Sequence, residues 1–265
     1  MNTAPIPSVP TLLDAPLLDH VVWHALTSRQ TGLATGEGDA RRFLPDVGPF
    51  GALKPPTTGT PEQLADLLRI ASPVVLVVAE DERPFGGLAP FKRAPVDQMV
   101  LVDRQALTPV PDIEVETLDD ADLPDILALV RATQPGPFGR RTLELGRYIG
   151  VRREGRLVAL SGERMKVPGF TEVSAVCVDP SCRGRGFAAS LMKAVAQGIF
   201  RRGETPFLHV FTDNVTAIAL YERLGFRLRR RFSVNFFDES SVPGARDALN
   251  APSDPSGTPR PTAPS

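Results

Sequence analysis

The sequence predicts an α/β (α+β) fold in which helices flank a mixed, mostly antiparallel sheet. From residue 113 onward, segments with the two-residue period of strands alternate with segments of helical period. Their order is strand, helix, a meander of three strands, helix, strand, helix, strand. Short turns containing Gly155 and Gly169 join the three meander strands, so we expect these to be antiparallel. Such alternation is typical of helices packed on a sheet.

The second half of the chain has the clearest elements. Strands are predicted at Ile113–Glu116, Tyr148–Arg153, Leu157–Arg164, Thr171–Val178, Pro206–Thr212 and Arg227–Phe237. Helices are predicted at Asp119–Arg131, from the Gly/Arg loop after Pro180 to about Ile199, and at Val215–Leu224. In the middle helix, apolar residues recur at every fourth position and should face the sheet: Phe187, Leu191, Val195 and Ile199.

The first half has weaker signals. A helix is predicted over Ala15–Ser28, and the stretch Thr31–Gly59 that follows is rich in Gly and Pro. A second helix begins after Thr60, which can cap it, and ends before Pro73. Strands are predicted at Val74–Val78 and Gln98–Val102.

These patterns divide the chain into two predicted domains. An N-terminal α/β domain covers residues 12–108 and a second domain covers 112–238, with a linker over Leu107–Asp112. The ends, residues 1–11 and 239–265, are rich in Pro, Ser and Thr, and we expect both to be disordered because they can bury little apolar surface.

Composition excludes several classes of function. The formal net charge of −1 gives no long-range field for a nucleic-acid or membrane-surface partner. Two cysteines, Cys177 and Cys182, form no disulfide framework and fit a reducing compartment. The first ten residues do not resemble a signal peptide, and no apolar run approaches about 18 residues. We therefore expect a soluble cytoplasmic protein, a monomer or homodimer, with no metal.

The most informative segment leads from a predicted strand into a helix through a loop of alternating arginine and glycine. Its sequence is Val176-Cys177-Val178-Asp179-Pro180-Ser181-Cys182-Arg183-Gly184-Arg185-Gly186-Phe187-Ala188. The glycines remove side chains that would keep an anion away from the backbone N–H groups, and the helix N-terminus adds partial positive charge. The two arginines can neutralise phosphates. The segment therefore predicts a pyrophosphate site.

Two other interpretations of this loop stay open. Gly184, Gly186 and Ala189 match a G-x-G-x-x-A dinucleotide fingerprint, which would indicate a nicotinamide cofactor. That fold, however, places the fingerprint after its first strand and needs more βα units than follow here. The second alternative is a basic loop that only connects two elements.

Two segments resemble the GNAT superfamily of N-acetyltransferases. Arg183–Ala188 is similar to its Q/R-x-x-G-x-G/A signature, and Asn214–Phe226 is similar to its second cofactor segment. The resemblance covers about residues 112–237. Within the superfamily the chain most resembles glycine N-acyltransferase-like proteins, whose upstream half is often a degenerate copy of the same fold. The resemblance thus implies a GNAT fold preceded by a degenerate GNAT-like N-terminal half, although residues 12–105 carry no motif.

The resemblance implies acetyl-CoA, or a related acyl-CoA, as the co-substrate. The backbone of three strand residues would pair with the pantetheine arm like an added strand: Val176, Cys177 and Val178. The loop N–H groups would bind the pyrophosphate: those of Arg183, Gly184, Arg185, Gly186, Phe187 and Ala188. Asn214 would contact the cofactor, cap its helix, or do both.

Two residues are candidates for catalysis. Tyr221 would act as the general acid that protonates the departing thiolate, although a tyrosine at this helical spacing can also be a core aromatic. Glu172 would be the base, since it lies on the strand that ends in the cofactor segment. The alternatives to this base are a water relay, Glu163, or a merely solvated Glu172. His209 lies in a predicted strand and can face the cofactor or pack in the core, and we expect it to pack.

These features predict an N-acetyltransferase that moves an acetyl group from acetyl-CoA to a primary amine, on a small molecule or an amino acid, by direct attack. One alternative is a protein or peptide N-acetyltransferase. Another is a non-catalytic acyl-CoA-binding regulatory module. The charge run in the last strand is expected to form a solvated edge, with contact to the 3′-phosphate of the cofactor as the alternative: Arg227, Arg229, Arg230 and Arg231.

Overall fold

One continuous sheet organises residues 9–55, 60–80, 88–107 and 113–242, which the computed structural model describes. Within these residues the strands are β1 (Ala34–Thr35), β2 (Ala40–Phe43), β3 (Phe50–Leu53), β4 (Val74–Ala79), β5 (Lys92–Leu101), β6 (Glu116–Leu118), β7 (Tyr148–Arg153), β8 (Arg156–Val167), β9 (Phe170–Val178), β10 (Thr205–Phe211) and β11 (Phe226–Phe237). The α-helices are α1 (Val9–Leu13), α2 (Val21–Thr27), α3 (Pro61–Ile70), α4 (Leu123–Thr133), α5 (Phe187–Arg201) and α6 (Val215–Arg223).

The strands lie in the order β1-β2-β3-β4-β11-β5-β10-β9-β8-β7-β6. Only β3–β4 and β9–β10 are parallel among the described pairs. Each parallel pair is joined by a crossover helix, α3 or α5, as parallel connections require. The predicted mixed, mostly antiparallel sheet is confirmed.

The two halves of the chain interlock through their long strands. In the first half, β3, α3 and the parallel strand β4 are followed by the long strand β5. In the second half, β9, α5 and the parallel strand β10 are followed by the long strand β11, and each long strand pairs with strands of the other half. Thus β5 pairs with β10, β11 pairs with β4, and β5 and β11 pair with each other. The N-terminal half therefore shares part of the topology of the C-terminal half, although no described helix between β4 and β5 corresponds to α6. The predicted boundary near residues 108–112 does not separate two sheets, because β5 lies between β10 and β11.

Several elements of the first half differ from prediction. The predicted helix over Ala15–Ser28 is divided into a 3-10 turn, Pro16–Leu18, and α2. The Gly/Pro-rich stretch Thr31–Gly59 contains three strands, β1 to β3. The start of α3 is as predicted: Thr60 and Gln63 form a capping box.

The two ends of the described chain are ordered, unlike the disorder expected there. Residues 9–11 belong to α1, and Glu239–Ser241 form a 3-10 turn capped by Asp238. The remainder of both predicted disordered ends, and residues 108–112 of the predicted linker, lie outside the described residues.

The arginine run in β11 is not a solvated edge. This strand has β4 on one side and β5 on the other. The side chain of Arg229 is only 4% exposed and donates to Asp19 at 2.7 Å. The pattern of charges could not reveal this, because both neighbouring strands come from distant parts of the sequence.

Each face of the sheet carries its own core. On one face, α5 and α6 pack on the sheet, and the predicted inward residues of α5 are all buried: Phe187, Leu191, Val195 and Ile199. The other face is covered by α2 and α4. Among the described helices, none has the length and apolar character needed to span a membrane.

Candidate active site

The parallel strands β9 and β10 separate partway along their length. They pair only from Phe170 to Glu172 on β9, opposite Thr205 to Phe207 on β10. Beyond Glu172, β9 keeps β8 as its neighbour and pairs with no other described strand. Ala175 has a φ of +52°, a left-handed conformation that is unfavourable for alanine and produces a bulge at this point. The backbone of the predicted cofactor segment Val176–Val178 therefore has one open edge.

The loop before α5 takes its shape from two glycines. Gly184 and Gly186 have φ angles of +76° and +80°, a region that favours glycine. A Cβ at either position would meet nothing within 4 Å, so these glycines are required by backbone conformation rather than by protein crowding. The loop and the N-terminus of α5 lie at the surface, and the side chains of Arg183 and Arg185 are exposed there.

A third arginine that the motif did not reveal lies near the same helix end. The guanidinium of Arg153, at the end of β7, lies 5.1 Å from the ring centre of Phe187 in the first turn of α5. Three cationic side chains from two sequence regions thus surround this N-terminus, where anions are favoured.

Neither cysteine has the environment of a nucleophile. Cys177 is buried, and burial raises the pKa of its thiol to about 11. Cys182, in the loop before α5, is also buried and packs in the core under α5.

Tyr221 lies on α6 in the core that includes Phe187 and Phe226, with the ring centre of Phe226 6.2 Å away. Burial raises the pKa of Tyr221 to about 12, so the phenol keeps its proton at neutral pH, as a general acid must. Asn214 is exposed and caps α6, since its side-chain oxygen accepts from the N–H of Ala217 at 3.2 Å. The capping role proposed for Asn214 is therefore present.

Glu172 does not have the environment of a general base. It is fully buried and accepts two hydrogen bonds from Arg164, at 2.8 and 2.6 Å, and one from His209 Nδ1 at 2.7 Å. Burial raises its pKa, but the charge and hydrogen bonds of Arg164, with the His209 hydrogen bond, outweigh burial and lower the pKa of Glu172 to about 2. So weak a base cannot take a proton from an amine near neutral pH. The predicted role does not fit this geometry.

Glu163, the weaker alternative base, is likewise buried between two cations. It pairs with Lys166 at 3.0 Å and Arg202 at 2.8 Å. Burial raises the pKa of Glu163, but the hydrogen bonds and charges of Lys166 and Arg202 outweigh burial, so the pKa lies below its ordinary value.

Glu172 belongs to a buried polar chain that crosses five adjacent strands. The chain runs through Arg164 on β8, Glu172 on β9, His209 on β10, Gln98 on β5 and Arg229 on β11. Nε2 of Gln98 can only donate, so Nε2 of His209 accepts a hydrogen bond from it at 3.1 Å. Nδ1 of His209 therefore carries the hydrogen and donates a hydrogen bond to Glu172. His209 is thus hydrogen-bonded on both sides rather than simply packed.

The same chain ties the N-terminal half to the site. Gln98 donates to the backbone oxygen of Leu18 at 2.9 Å, and Arg229 donates to the backbone oxygen of Ala15 at 2.8 Å. Groups of both halves therefore fix His209 close to the point at which β9 and β10 separate.

The comparisons with known proteins agree with this geometry. The FR47-like protein family matches residues 148–234, from β7 into β11. A crystal structure of a protein assigned to the GNAT acetyltransferase family, from Novosphingobium aromaticivorans, is 39% identical to this chain. It superposes with a TM-score of 0.72 over 83% of this chain and 96% of its own. The chain belongs to the GNAT family.

Curated relatives of this GNAT protein match a shorter segment. The N-alpha-acetyltransferase RimI of Mycobacterium tuberculosis is 41% identical over 91 residues, which is 32% of this chain and 56% of RimI. The mycothiol acetyltransferase of Mycobacterium avium is 36% identical over 84 residues, 28% of this chain and 27% of that enzyme. The chain thus matches about half, or less, of the length of these two relatives. No group of three or more metal-ligating side chains occurs among the residues that the structure describes.

Proposed function

We propose that this GNAT protein transfers an acetyl group from acetyl-CoA to a primary amine. The observation that carries the proposal is the open edge of β9, which leads through the Gly/Arg loop to the N-terminus of α5, a helix end that favours anions. The backbone of Val176, Cys177 and Val178 would hold the pantetheine arm, and the loop from Arg183 to Ala188 would hold the pyrophosphate. Acetyl-CoA supplies the thioester carbonyl.

In the proposed reaction the neutral amine nitrogen attacks the thioester carbonyl carbon, and the carbon–sulfur bond breaks. The thiolate takes a proton from Tyr221, and the amine gives its proton to water. Tyr221 then regains a proton from the solvent, so the enzyme returns to its starting state. Release of the proton to water suits an α-amine. At pH 7, deprotonating an α-amine with a pKa near 8 costs about 1.4 kcal/mol, whereas deprotonating a lysine amine with a pKa near 10.4 costs about 4.6 kcal/mol. Glu172 and Glu163 are both paired with cations, so neither is available as a base. An α-amine, which loses its proton to water more readily than a lysine does, is therefore the better supported acceptor.

We expect Tyr221→Phe to lower kcat at least about 100-fold while the Kd for acetyl-CoA changes little, because the variant loses only the proton donor. Steady-state kinetics with the amine acceptor, together with calorimetric titration of acetyl-CoA, would measure both quantities. Full turnover in Tyr221→Phe would remove the general-acid role and leave this tyrosine as a core aromatic.

The acceptor is proposed to be a small amine or an amino acid, which also suits the resemblance to glycine N-acyltransferase-like proteins. A second candidate is the α-amine of a protein N-terminus, which the likeness to an N-alpha-acetyltransferase favours. A non-catalytic acyl-CoA-binding module is less well supported, because Tyr221 and the loop glycines are all present.

Calorimetry with acetyl-CoA tests the co-substrate directly. We expect acetyl-CoA to bind, NAD not to bind, and Arg185→Glu to weaken acetyl-CoA binding about tenfold or more, because the variant places negative charge beside phosphates. Arg201→Glu, at the other end of α5, is the matched control and should bind nearly as the unaltered protein does. Preference for NAD, or equal effects of the two substitutions, would contradict the proposed phosphate site.

A further inference from the structure

The cleft between β9 and β10 is closed at one end by side chains. The two strands pair as far as Glu172 opposite Phe207, and beyond this pair β10 continues to Phe211 without a partner on β9. Glu172 and Phe207 have no exposed surface, so no water-sized space adjoins them. These two side chains, together with His209, form what we call the apex of the cleft.

The proposed position of acetyl-CoA directs its acyl group toward this apex. The loop from Arg183 to Ala188 would hold the pyrophosphate, and the backbone of Val176–Val178 would hold the pantetheine arm, to which the thioester is attached. Along β9, the next residue toward the start of the strand is Ala175, and Glu172 follows three residues further on. The thioester would therefore lie near Ala175, with the acyl chain extending toward Glu172.

His209 is the apex side chain that lies on the open stretch of β10. It follows Phe207, the last residue paired with β9, by two positions, so the two side chains share one face of the sheet. The side chain of His209 keeps 8% exposure, whereas Glu172 has none. An acyl chain that extends beyond the open part of the cleft would therefore meet the His209 ring first.

Four contacts prevent the ring of His209 from moving aside. Its Nδ1 donates to Glu172 at 2.7 Å, and its Nε2 accepts from Gln98 at 3.1 Å. The rings of Phe207 and Phe232 lie edge-on to it, with centres 5.8 and 5.9 Å away. Rotating the ring would leave buried polar groups without partners, which is unfavourable. The wall of the apex is therefore rigid.

The bulge in β9 offers no second route for a long chain. The cavity beside it, whose lining includes Tyr148, Arg164, Ser174 and Ala175, has a volume of about 10 Å³, close to the smallest space that holds one water. Additional methylenes would have to displace packed side chains there as well, and overpacking of this kind is destabilising.

On the basis of the proposed acetyl transfer, we propose that His209 limits the acyl group of the co-substrate to acetyl. A butyryl group has two more methylenes, which would have to displace the ring and the hydrogen bonds that hold it. In a closed apolar pocket, one methylene changes selectivity about 10–200-fold. His209 thus determines the acyl-chain length of the donor, a role distinct from that of Tyr221 at the departing sulfur.

Calorimetric titration with acetyl-CoA and butyryl-CoA measures this selectivity without turnover. We expect the unaltered full-length protein to bind butyryl-CoA at least about tenfold more weakly than acetyl-CoA. In His209→Asn the ratio of the two Kd values should fall toward one, because asparagine keeps an N–H that can donate to Glu172 but lacks the far side of the ring. The ratio of kcat/KM for the two donors, with one amine acceptor, should change in the same direction.

A second variant leaves every polar group of the apex intact. Phe232→Leu shortens the side chain that packs against the His209 ring, so the ring can move back, and the ratio should fall by less than in His209→Asn. Phe237→Leu is the matched control: this phenylalanine is equally buried on the same strand, but it packs in the separate core under α3 and should leave the ratio unchanged. A ratio of kcat/KM values does not depend on how much of each variant is folded.

The failures of the two proposals are distinguishable. If the unaltered protein binds acetyl-CoA and butyryl-CoA equally well, the closed apex is overturned and acetyl-CoA binding stands. The role of His209 is also overturned if neither His209→Asn nor Phe232→Leu lowers the ratio, or if Phe237→Leu lowers it as much as they do. If the unaltered protein binds neither thioester, both proposals are overturned.

Discussion

Residues 113–265 expressed alone are expected not to form a stable fold, although this segment contains both sequence motifs. Without residues 1–112, β10 loses its antiparallel neighbour β5, and β11 loses its neighbours on both sides, β4 and β5. Four apolar side chains of β5 that are at most 3% exposed are also lost: Val96, Met99, Val100 and Leu101. At about 1.5–3 kcal/mol each, their burial contributes roughly 6–12 kcal/mol, comparable with the total stability of about 5–15 kcal/mol of a typical protein.

Urea denaturation followed by far-UV circular dichroism measures this effect. The 113–265 fragment should show no cooperative transition, whereas the full chain should show one. The control is a chain cut after residue 110 and expressed as two pieces, which we expect to co-purify and to unfold together because every strand is restored. A cooperative transition in the isolated fragment, at the midpoint of the full chain, would contradict the interlocked arrangement.

Local patterns were sufficient to predict most elements of the second half. Strand β7 has the predicted bounds, and the buried face of α5 is the predicted one, because both depend on periodicity within a single segment. The position of β5 between β10 and β11 could not be predicted in this way. It depends on pairing between segments more than 100 residues apart, such as Gln98 with His209, and neither strand carries a local signal for its partner.

The candidate site was predictable only where the motif is contiguous. The Gly184 and Gly186 loop and the start of α5 could be located from the sequence because their residues are adjacent. The environment of Glu172 could not, since the cation that lowers its pKa comes from β8 and its histidine partner from β10. The pairing of Tyr148 on β7 with Gly162 on β8 likewise depends on strand register, which the turn at Gly155 sets only approximately because β8 contains a bulge.

Replacing Glu172 by Gln should destabilise the protein by roughly 3–5 kcal/mol at pH 7. The substitution removes the carboxylate that neutralises Arg164, whose side chain is 15% exposed, and an uncompensated buried charge costs about this much. The matched control is Glu144→Gln, which removes an exposed ion pair with Arg141 and should cost less than about 1 kcal/mol. Urea unfolding of the three proteins gives the free energies directly.

The pH dependence of this loss identifies its cause. Because the pKa of folded Glu172 is about 2 and its ordinary value is 4.5, the carboxylate stabilises the fold above about pH 4.5. That contribution, roughly 3 kcal/mol, is lost as the pH falls toward 2. The difference between the unaltered protein and Glu172→Gln in the free energy of unfolding should therefore narrow as the pH falls from about 5 toward 2. A difference that is constant with pH would show that shape or packing, rather than charge, accounts for the loss.

The same variant separates a positioning role from a basic one. If Glu172 only holds His209 and Arg164 in place where β9 and β10 separate, the substitution should not move the pH at which kcat/KM falls on the acidic side. That pH is set by the pKa of the acceptor amine, and the folded fraction of Glu172→Gln should show the same value. If Glu172 were the base, that limb would change with the substitution. We expect the limb to follow the pKa of the amine when the acceptor is changed, because the proton goes to water and the buried carboxylate takes no part in its removal.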